Sequence, residues 1–494
     1  MPKKTPIFYS ALMLTAVNLL LRFVSTSFQV FLSQQIGAEG IGLLQLVLSV
    51  GALSMTAGMG GIRTTTMYLT AEEIGKKRKY NVRWVLSGCF VYSILCSGLI
   101  AIGLYFFAPL LAEHWIGNIH TVSAIRLYSS FIPVCCLCGV MTGYFTAANR
   151  IGTLAIVEIG EQLLSMAVTM SILLFWARGN AERACQSVIF GSGISAVFTL
   201  IVLVALRIRE QEKAGRRIAV GRRIVNAALP LGLADNLRSG ISTTENLMVP
   251  KRLALYTGVQ SPLAAFGVVC GMVFPILMFP AAILFGLAEL LIPEMARCAA
   301  AGSHIRVRYL ATRSLRVCII YGFIFFAVEY LLAEELCFRL YKNIDAGKHL
   351  RLYALLIPML YCDAIVDAMI KGLGQQKICV RYNIITSGLD VIFLYLLLPK
   401  YGMQGYFFSF FITHLINFIL SLRRLIKIIG NVLPIAMPIK TACGAVAALW
   451  ISSHISNSAL QVCGFLITFS CLLVLMRVIN KEDITWLTGL VNKK

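Results

Sequence analysis

Apolar stretches of about twenty residues or more follow one another along almost the whole of this chain, each long enough to cross the hydrocarbon of a bilayer as a helix. The polar interruptions are short, and the longest, Arg207 to Arg223, cannot hold a folded domain. Fourteen spans are predicted, near residues 8–33, 41–69, 84–111, 122–147, 154–177, 186–206, 224–249, 262–293, 312–333, 351–373, 380–398, 403–422, 433–452 and 459–478. Charged residues make up 13% of the chain, against about a quarter in soluble domains, and the mean hydropathy is +0.81. The expected fold class is an all-α integral membrane protein, which leaves no room for a soluble catalytic domain. The opening MPKKTPIFYSALMLTAVNLL has the basic head and apolar body of a signal peptide. No small-residue cleavage site follows and the apolar run continues to Leu32, so a retained first span is expected.

An even number of spans places both ends on one side of the membrane. Assigned alternately, the loops of that side include GKKRKYNVR, RIREQEKAGRRIAVGRR, RCAAAGSHIRVR and RRLIK and hold most of the lysines and arginines. The positive-inside bias then predicts cytoplasmic N and C termini in a multi-pass protein of the cytoplasmic (plasma) membrane. The net charge of +22 has the same origin. Spread over the loops of one face, it orients the chain and attracts anionic lipid; it does not point to nucleic acid.

Two parts of the chain share a register. Pro133, Asn149, Glu158 and Ser165 recur at identical spacing as Pro358, Gly374, Asn383 and Asp390. Setting Arg22 on Arg238 likewise places Thr26 on Ser242 and Gln29 on Glu245. The expected organisation is a six-helix lobe over 1–206, a basic cytoplasmic linker over 207–223, a second six-helix lobe over 224–427 and a terminal two-helix extension over 428–494. Transporters commonly place their binding site between such repeats.

Residues three and four apart share a face of a helix. Asn18, Arg22, Ser25 and Gln29 form such a stripe on the first span, and Asp235, Arg238, Ser242 and Glu245 form one on the seventh. Arg63, after the glycine-rich TAGMGGIRTTT, is a third arginine for that face. The plainer reading is ion pairing of Asp235 with Arg238 and snorkelling of Arg63 to the interface. Depth argues for more. An ionised group at mid-helix costs about 2.5–3.5 kcal/mol, so five cost on the order of 15 kcal/mol, as much as a domain's net stability. Hydration in a cavity removes most of that cost. Arginine's planar fork matches phosphate oxygens, so Arg22, Arg63 and Arg238, together with Asn18, Gln29, Asp235 and Glu245, are expected to bind an anionic, phosphate-bearing cargo. Asp235 and Glu245 reduce the positive charge, which would keep binding reversible or supply a proton or cation site.

Glu158, Gln162, Ser165 and Thr169 line one face of the fifth span, and Asp363, Asp367 and Lys371 one face of the tenth. Helix packing or a balanced charge cluster is the plainer role for both, and coupling-ion binding the functional one. Asp390 is more isolated; it would bond to the fifth or tenth span, or coordinate a cation. Pro133, Pro230, Pro275, Pro280, Pro293 and Pro358 are expected to kink their helices. Gly267 and Gly271 give a small-residue face suited to close packing. The 15 cysteines lack zinc-site spacing, the 6 histidines make no H-E-x-x-H pattern, and no G-x-x-x-x-G-K-[ST] phosphate loop occurs. Neither metal nor cofactor is expected, and energy would come from an ion gradient or the membrane potential.

Several blocks resemble the stage V sporulation protein B family: FLSQQIGAEGIGLLQLV, GMGGIRTTTMYLTAE, ENLMVPKRL, and the run from YTGVQSPLAAF to LLIPEMARC with Pro275 and Pro280. The similarity extends over most of the chain. It implies membership of the multidrug/oligosaccharidyl-lipid/polysaccharide (MOP) exporter superfamily, which includes lipid II flippases. With it come two six-helix bundles and a cationic cavity opened alternately to either side. Arg22 falls where relatives carry a basic residue. Gln29 stands where they have arginine, and Arg63 replaces a proline of the usual G-[IL]-P-x-A-I-S-K run.

The expected function is that of a flippase for an undecaprenyl-diphosphate-linked saccharide, a peptidoglycan precursor being one such cargo. Its other partners would be membrane lipids and a coupling proton or sodium ion, and no enzymatic activity is expected. A drug or cation antiporter of the same superfamily is the alternative. It would be expected to carry an acid in its first span, whereas 8–33 contains Arg22 and no acid. A polyprenyl-phosphate transferase would gather acids around a metal at one membrane surface, and here they are scattered in depth.

Overall fold

A computed structural model describes residues 7–76, 78–176, 180–209, 220–432, 434, 436–455 and 457–478; the side chains of 7–18, 79 and 151 are outside that description. The described residues are helical almost throughout and contain no strand. The helices run α1 Ile7–Met59, α2 Ile62–Gly75, α3 Val82–Leu110, α4 Val122–Ala147, α5 Ile151–Trp176, α6 Ala181–Ile208, α7 Gly221–Leu253, α8 Pro262–Val268, α9 Phe274–Leu277, α10 Ala281–Ala300, α11 His304–Tyr341, α12 Ile344–Ala354, α13 Ile357–Gly372, α14 Gln376–Ile429, α15 Ala436–Ser452 and α16 Ser458–Leu475.

Two of these are pairs of rods joined by one residue. Gly37 (φ 68, ψ −178) bends α1 and Gly402 (φ 57, ψ −137) bends α14, in a region of backbone space that side chains exclude. The bends fall where the first and eleventh predicted spans end. By length and hydropathy alone, eight helices qualify to cross a membrane, or ten if each of two bent pairs is one span. The bent pairs are α8–α9 with α10, at 63°, and α12 with α13, at 56°. Reaching the expected fourteen would require dividing α1 and α14 at their glycines and adding α7, with its many polar residues, and the 17-residue α15, neither of which qualifies on those measures.

The predicted second span needs correction, because it is not one helix. Gly60 and Gly61 take left-handed conformations (φ 49 and 72) that end α1 and start α2. The break lets α7 approach closely: a Cβ on Gly61 would lie 2.6 Å from the Ala228 carbonyl oxygen, and one on Gly232 2.7 Å from the Gly60 carbonyl carbon. The proline expectations divide. Pro358 lies in the first turn of α13 and Pro280 caps α10, where a missing N–H costs nothing, whereas Pro275 lies inside the continuous segment Pro262–Leu277, just after a π-helical turn at Val269–Val273 that joins α8 to α9. Pro133, Pro230 and Pro293 sit inside helices that continue past them. Gly267 and Gly271 pack closely, as expected: a Cβ on Gly267 would lie 1.9 Å from the Ala38 carbonyl oxygen of α1, and one on Gly271 1.9 Å from Ile41 Cγ2.

The register match reappears in the backbone. After α4, Asn149 turns left-handed (φ 58), with Asn149 N donating to Thr146 O and Arg150 N to Phe145 O. After α13, Gly374 does the same (φ 77), with Gly374 N donating to Lys371 O and Gln375 N to Ile370 O. This is the same helix-ending turn, placed at the same spacing from each proline.

Contacts group the chain into two compact units. One comprises residues 1–22, 272–390 and 407–494; the other comprises 23–271 and 391–406. The grouping places α7 with α2–α6, whereas the sequence-based lobes divide before it. A buried cluster including Ile62, Val85, Val140, Phe145, Leu203 and Ile224 joins α2, α3, α4, α6 and the start of α7. In lipid such packing holds by dispersion and close fit.

Candidate functional site

In the unit built on α2–α7, the glycine break sets the first turn of α2, which carries Arg63, against the turn of α7 that precedes Asp235 and Arg238. Arg63, Asp235, Arg238 and Ser242 are exposed and Glu245 is half-buried. Asp235 and Arg238 make no ion pair with each other among the described residues, so mutual neutralisation does not account for them. Arg63 likewise has no ion pair there, although its charge acts on the Glu158 carboxylate of α5.

The neighbouring face of α7 explains why this stripe stays open. Ser239, Thr243 and Asn246 turn toward α1: Thr56 Oγ1 donates to Ser239 Oγ at 3.4 Å, Thr243 Oγ1 to Ser49 O at 3.1 Å and Asn246 Nδ2 to Ser49 Oγ at 3.0 Å. With that seam fixed, Asp235, Arg238 and Ser242 are left on its flank. Gln29 has a packing contact, its amide donating to Gly271 O at 3.2 Å. Of the α5 stripe, Gln162 Nε2 donates to Ser25 Oγ at 3.1 Å, Ser165 meets Ser192 at 3.4 Å and Thr169 is buried against Ser187 O. Those three join helices, and Glu158 alone is exposed.

At the start of α7 an ion cluster not singled out from sequence ties it to α2. Arg223 Nη1 lies 2.9 Å from Glu73 Oε1 and Nη2 lies 3.0 Å from Glu72 Oε2. Glu73, with 3% of its side chain exposed, also accepts from Asn81 Nδ2 at 2.9 Å. The adjacent acids of TAEE were a signal for it.

The other unit contains Arg22, half-buried and with no ion pair among the described residues, and all three aspartates of interest. Asn18 lies in α1, with its side chain outside the described set. The aspartates share one partner face. Ser409, Thr413, Asn417 and Ser421 recur every fourth residue on the second rod of α14. Ser409 Oγ donates to Asp390 Oδ1 at 2.6 Å and Thr413 Oγ1 at 3.3 Å. Asn417 Nδ2 reaches both oxygens of Asp363, at 3.1 and 2.9 Å, and Ser421 Oγ donates to Asp367 Oδ1 at 3.3 Å. Lys371 Nζ lies 3.5 Å from Asp367 Oδ2. Asp390 therefore bonds to the twelfth predicted span, in place of the fifth or tenth. The four-residue period of SFFITHLINFILS was the missed signal. Glu329, the single acid of the span predicted at 312–333, also went unselected. Among the described residues, no group of three or more His, Cys, Asp or Glu is placed to hold a metal ion.

No family model matches the chain. Stage V sporulation protein B of Bacillus subtilis (strain 168) is 21% identical over 471 residues, covering 92% of this chain and 89% of the relative. A lipid II flippase MurJ structure in an inward closed conformation superposes with a TM-score of 0.72 at 13% identity, covering 94% of this chain and 99% of that one. An inward-facing multidrug resistance MATE family transporter of the MOP superfamily gives 0.67 at 14% identity, with 84% and 98% covered. A MOP superfamily transporter from Pyrococcus furiosus, described as having a binding pocket of reverse polarity, gives 0.63 at 15% identity, with 85% and 96% covered. These solved structures are of transporters and a flippase. With its serial apolar helices and paired helix-ending turns, the chain is a multi-pass membrane protein that is similar to stage V sporulation protein B and shares its fold with the solved MOP superfamily transporters and the lipid II flippase.

Proposed function

We propose that this chain is a flippase that moves an undecaprenyl-diphosphate-linked saccharide across the cytoplasmic membrane by alternating access. The observation that carries the reading is the set of arginines on membrane helices, Arg22, Arg63 and Arg238, none with an ion pair among the described residues. A permanently charged fork without a carboxylate is suited to an incoming diphosphate. Asp235 and Glu245 temper the charge, and Asn18 and Gln29 flank Arg22 in sequence. The lipid tail would stay in the bilayer. Likeness to the lipid II flippase over nearly both full chains supports this cargo class, a peptidoglycan precursor included. The repeat expected over 1–206 and 224–427 would supply the two moving bodies, with both termini cytoplasmic.

The hydrogen-bonded aspartates suit energy coupling. Asp390 with Ser409 and Thr413 presents the oxygen ligands a hard cation prefers, while the carboxylate of Asp363 is held by the amide N–H groups of Asn417. Glu158, exposed and within reach of the Arg63 charge of α2, is the candidate coupling acid of the other unit.

The test is reconstitution in liposomes with undecaprenyl-diphosphate saccharides against a panel of organic cations. The Arg22→Ala/Arg238→Ala variant is expected to insert normally and to lose saccharide transport. Retained transport by that variant removes the arginine mechanism. The likeness to MATE transporters favours a second reading, drug or cation antiport, and cation transport without saccharide transport would select it.

A further inference from the structure

Glu329 lies on α11 with 3% of its surface exposed, and neither carboxylate oxygen has a hydrogen-bond partner among the described residues. In this it differs from Asp363, Asp367 and Asp390, each of which accepts from a side chain of α14. Phe326 and Ala333, about one turn to either side, are buried with it, and α11 packs there against α12 and α13. The hydroxyls of the two tyrosines that interact with it are committed elsewhere: Tyr321 donates to Pro280 O at 2.7 Å and Tyr361 to Leu277 O at 3.0 Å.

Among the described residues no counter-ion reaches it either. The titratable groups that interact with it are Tyr321 and Cys337 on α11 and Tyr361 on α13. On α12, Asp345 pairs with Lys348 and Arg351 with Glu334, while His349 interacts with Asp345 and Lys348. On α10, Glu289 is exposed and Glu294 pairs with Arg297 and Arg306; on α15, Lys440 is exposed. A carboxylate anion at this position would have neither water, nor donor, nor positive charge, which is the costliest way to bury one. A single bound proton removes the charge. A metal ion would not serve, since one carboxylate among apolar side chains cannot complete a coordination shell.

We propose that Glu329 is a proton-binding site that links the packing of α11 against α12 and α13 to pH. The packed arrangement holds one proton on this carboxyl. When the helices part and water enters, the proton leaves to water and the carboxylate is hydrated. The packed form binds more protons than the opened one, so packing strengthens as pH falls and weakens as pH rises. The site is independent of the cargo and goes beyond the flippase reading.

The experiment uses full-length protein in nanodiscs, wild type and Glu329→Gln, with two readouts. Infrared difference spectra at neutral pH are expected to show a protonated-carboxyl stretch in the wild type that the variant lacks and that shifts in D2O. Hydrogen exchange of α11–α13 amides, corrected for intrinsic rates, is expected to rise several-fold from acid to alkaline pH in the wild type and to stay flat in Glu329→Gln. Superimposable carboxyl spectra, or an unchanged pH dependence of exchange in the variant, overturn the proposal. Should Glu329→Gln fail to fold, Glu329→Asp keeps the acid, and wild-type exchange that is flat in pH overturns the proposal on its own. Neither readout involves cargo, so failure of the flippase reading leaves the result intact.

Discussion

Gly267→Ala and Gly98→Ala are the same chemical change on two membrane helices, and the structure assigns them opposite signs. At Gly267 a methyl group would stand 1.9 Å from the Ala38 carbonyl oxygen and 2.7 Å from the Gly42 amide nitrogen, both backbone atoms of α1. Nothing there can rotate away, so α8 must draw back from α1. Overpacking of this kind costs about 1–3 kcal/mol. The withdrawal also stretches the Gln29 bond to Gly271 O, a further loss of about 1 kcal/mol. The expected destabilisation is thus about 2–4 kcal/mol. At Gly98, inside α3, an added methyl meets nothing within 4 Å and the backbone is ordinary helix. Alanine there should stabilise by about 0.5–1 kcal/mol through helix propensity. Denaturant titration of both variants in the same detergent, followed by tryptophan fluorescence, measures the two signs together. A Gly267→Ala midpoint equal to wild type, or a Gly98→Ala loss as large as that of Gly267→Ala, would refute the argument from close helix approach.

In the α2–α7 ion cluster, the bond to nearly buried Glu73 should carry most of the energy and the more exposed Glu72 contact little. Arg223→Ala is expected to cost about 2 kcal/mol, and a double-mutant cycle should show stronger coupling to Glu73→Gln than to Glu72→Gln; the reverse order would contradict the assignment. On α14, Asn417→Leu removes both donors from Asp363 and should cost about 2 kcal/mol in thermal stability, while the swapped pair Asp363→Asn with Asn417→Asp should recover most of it.

Hydropathy made the helical rods legible because in lipid every backbone polar group must bond within its own segment. It could not show that Gly60 and Gly61 interrupt the second span, since the reason is the backbone of α7 lying against them. The six prolines illustrate the same limit. Whether a proline opens a helix or sits within one depends on its neighbours, and Pro280 and Pro293, thirteen residues apart, take different roles. Among site residues, the α7 stripe was legible from its spacing, and its exposure follows from the seam made by Ser239, Thr243 and Asn246. The acids Asp363, Asp367 and Asp390 could be named from sequence. Their hydroxyl and amide partners could not, because polar residues that bond to another helix look like any tolerated serine or threonine in a span.

The single-glycine corners at Gly37 and Gly402 carry a mechanical implication. A loop of several residues would let one rod tilt while its neighbour stayed still. One residue offers only two torsions, and at Gly402 the corner is also packed, since a side chain there would strike the Tyr256 ring at 2.8 Å, whereas one on Gly37 would meet nothing within 4 Å. The Gly402 corner therefore behaves as a stiff elbow, so a rotation imposed on one arm must be passed to the other, and lengthening the chain there would uncouple them.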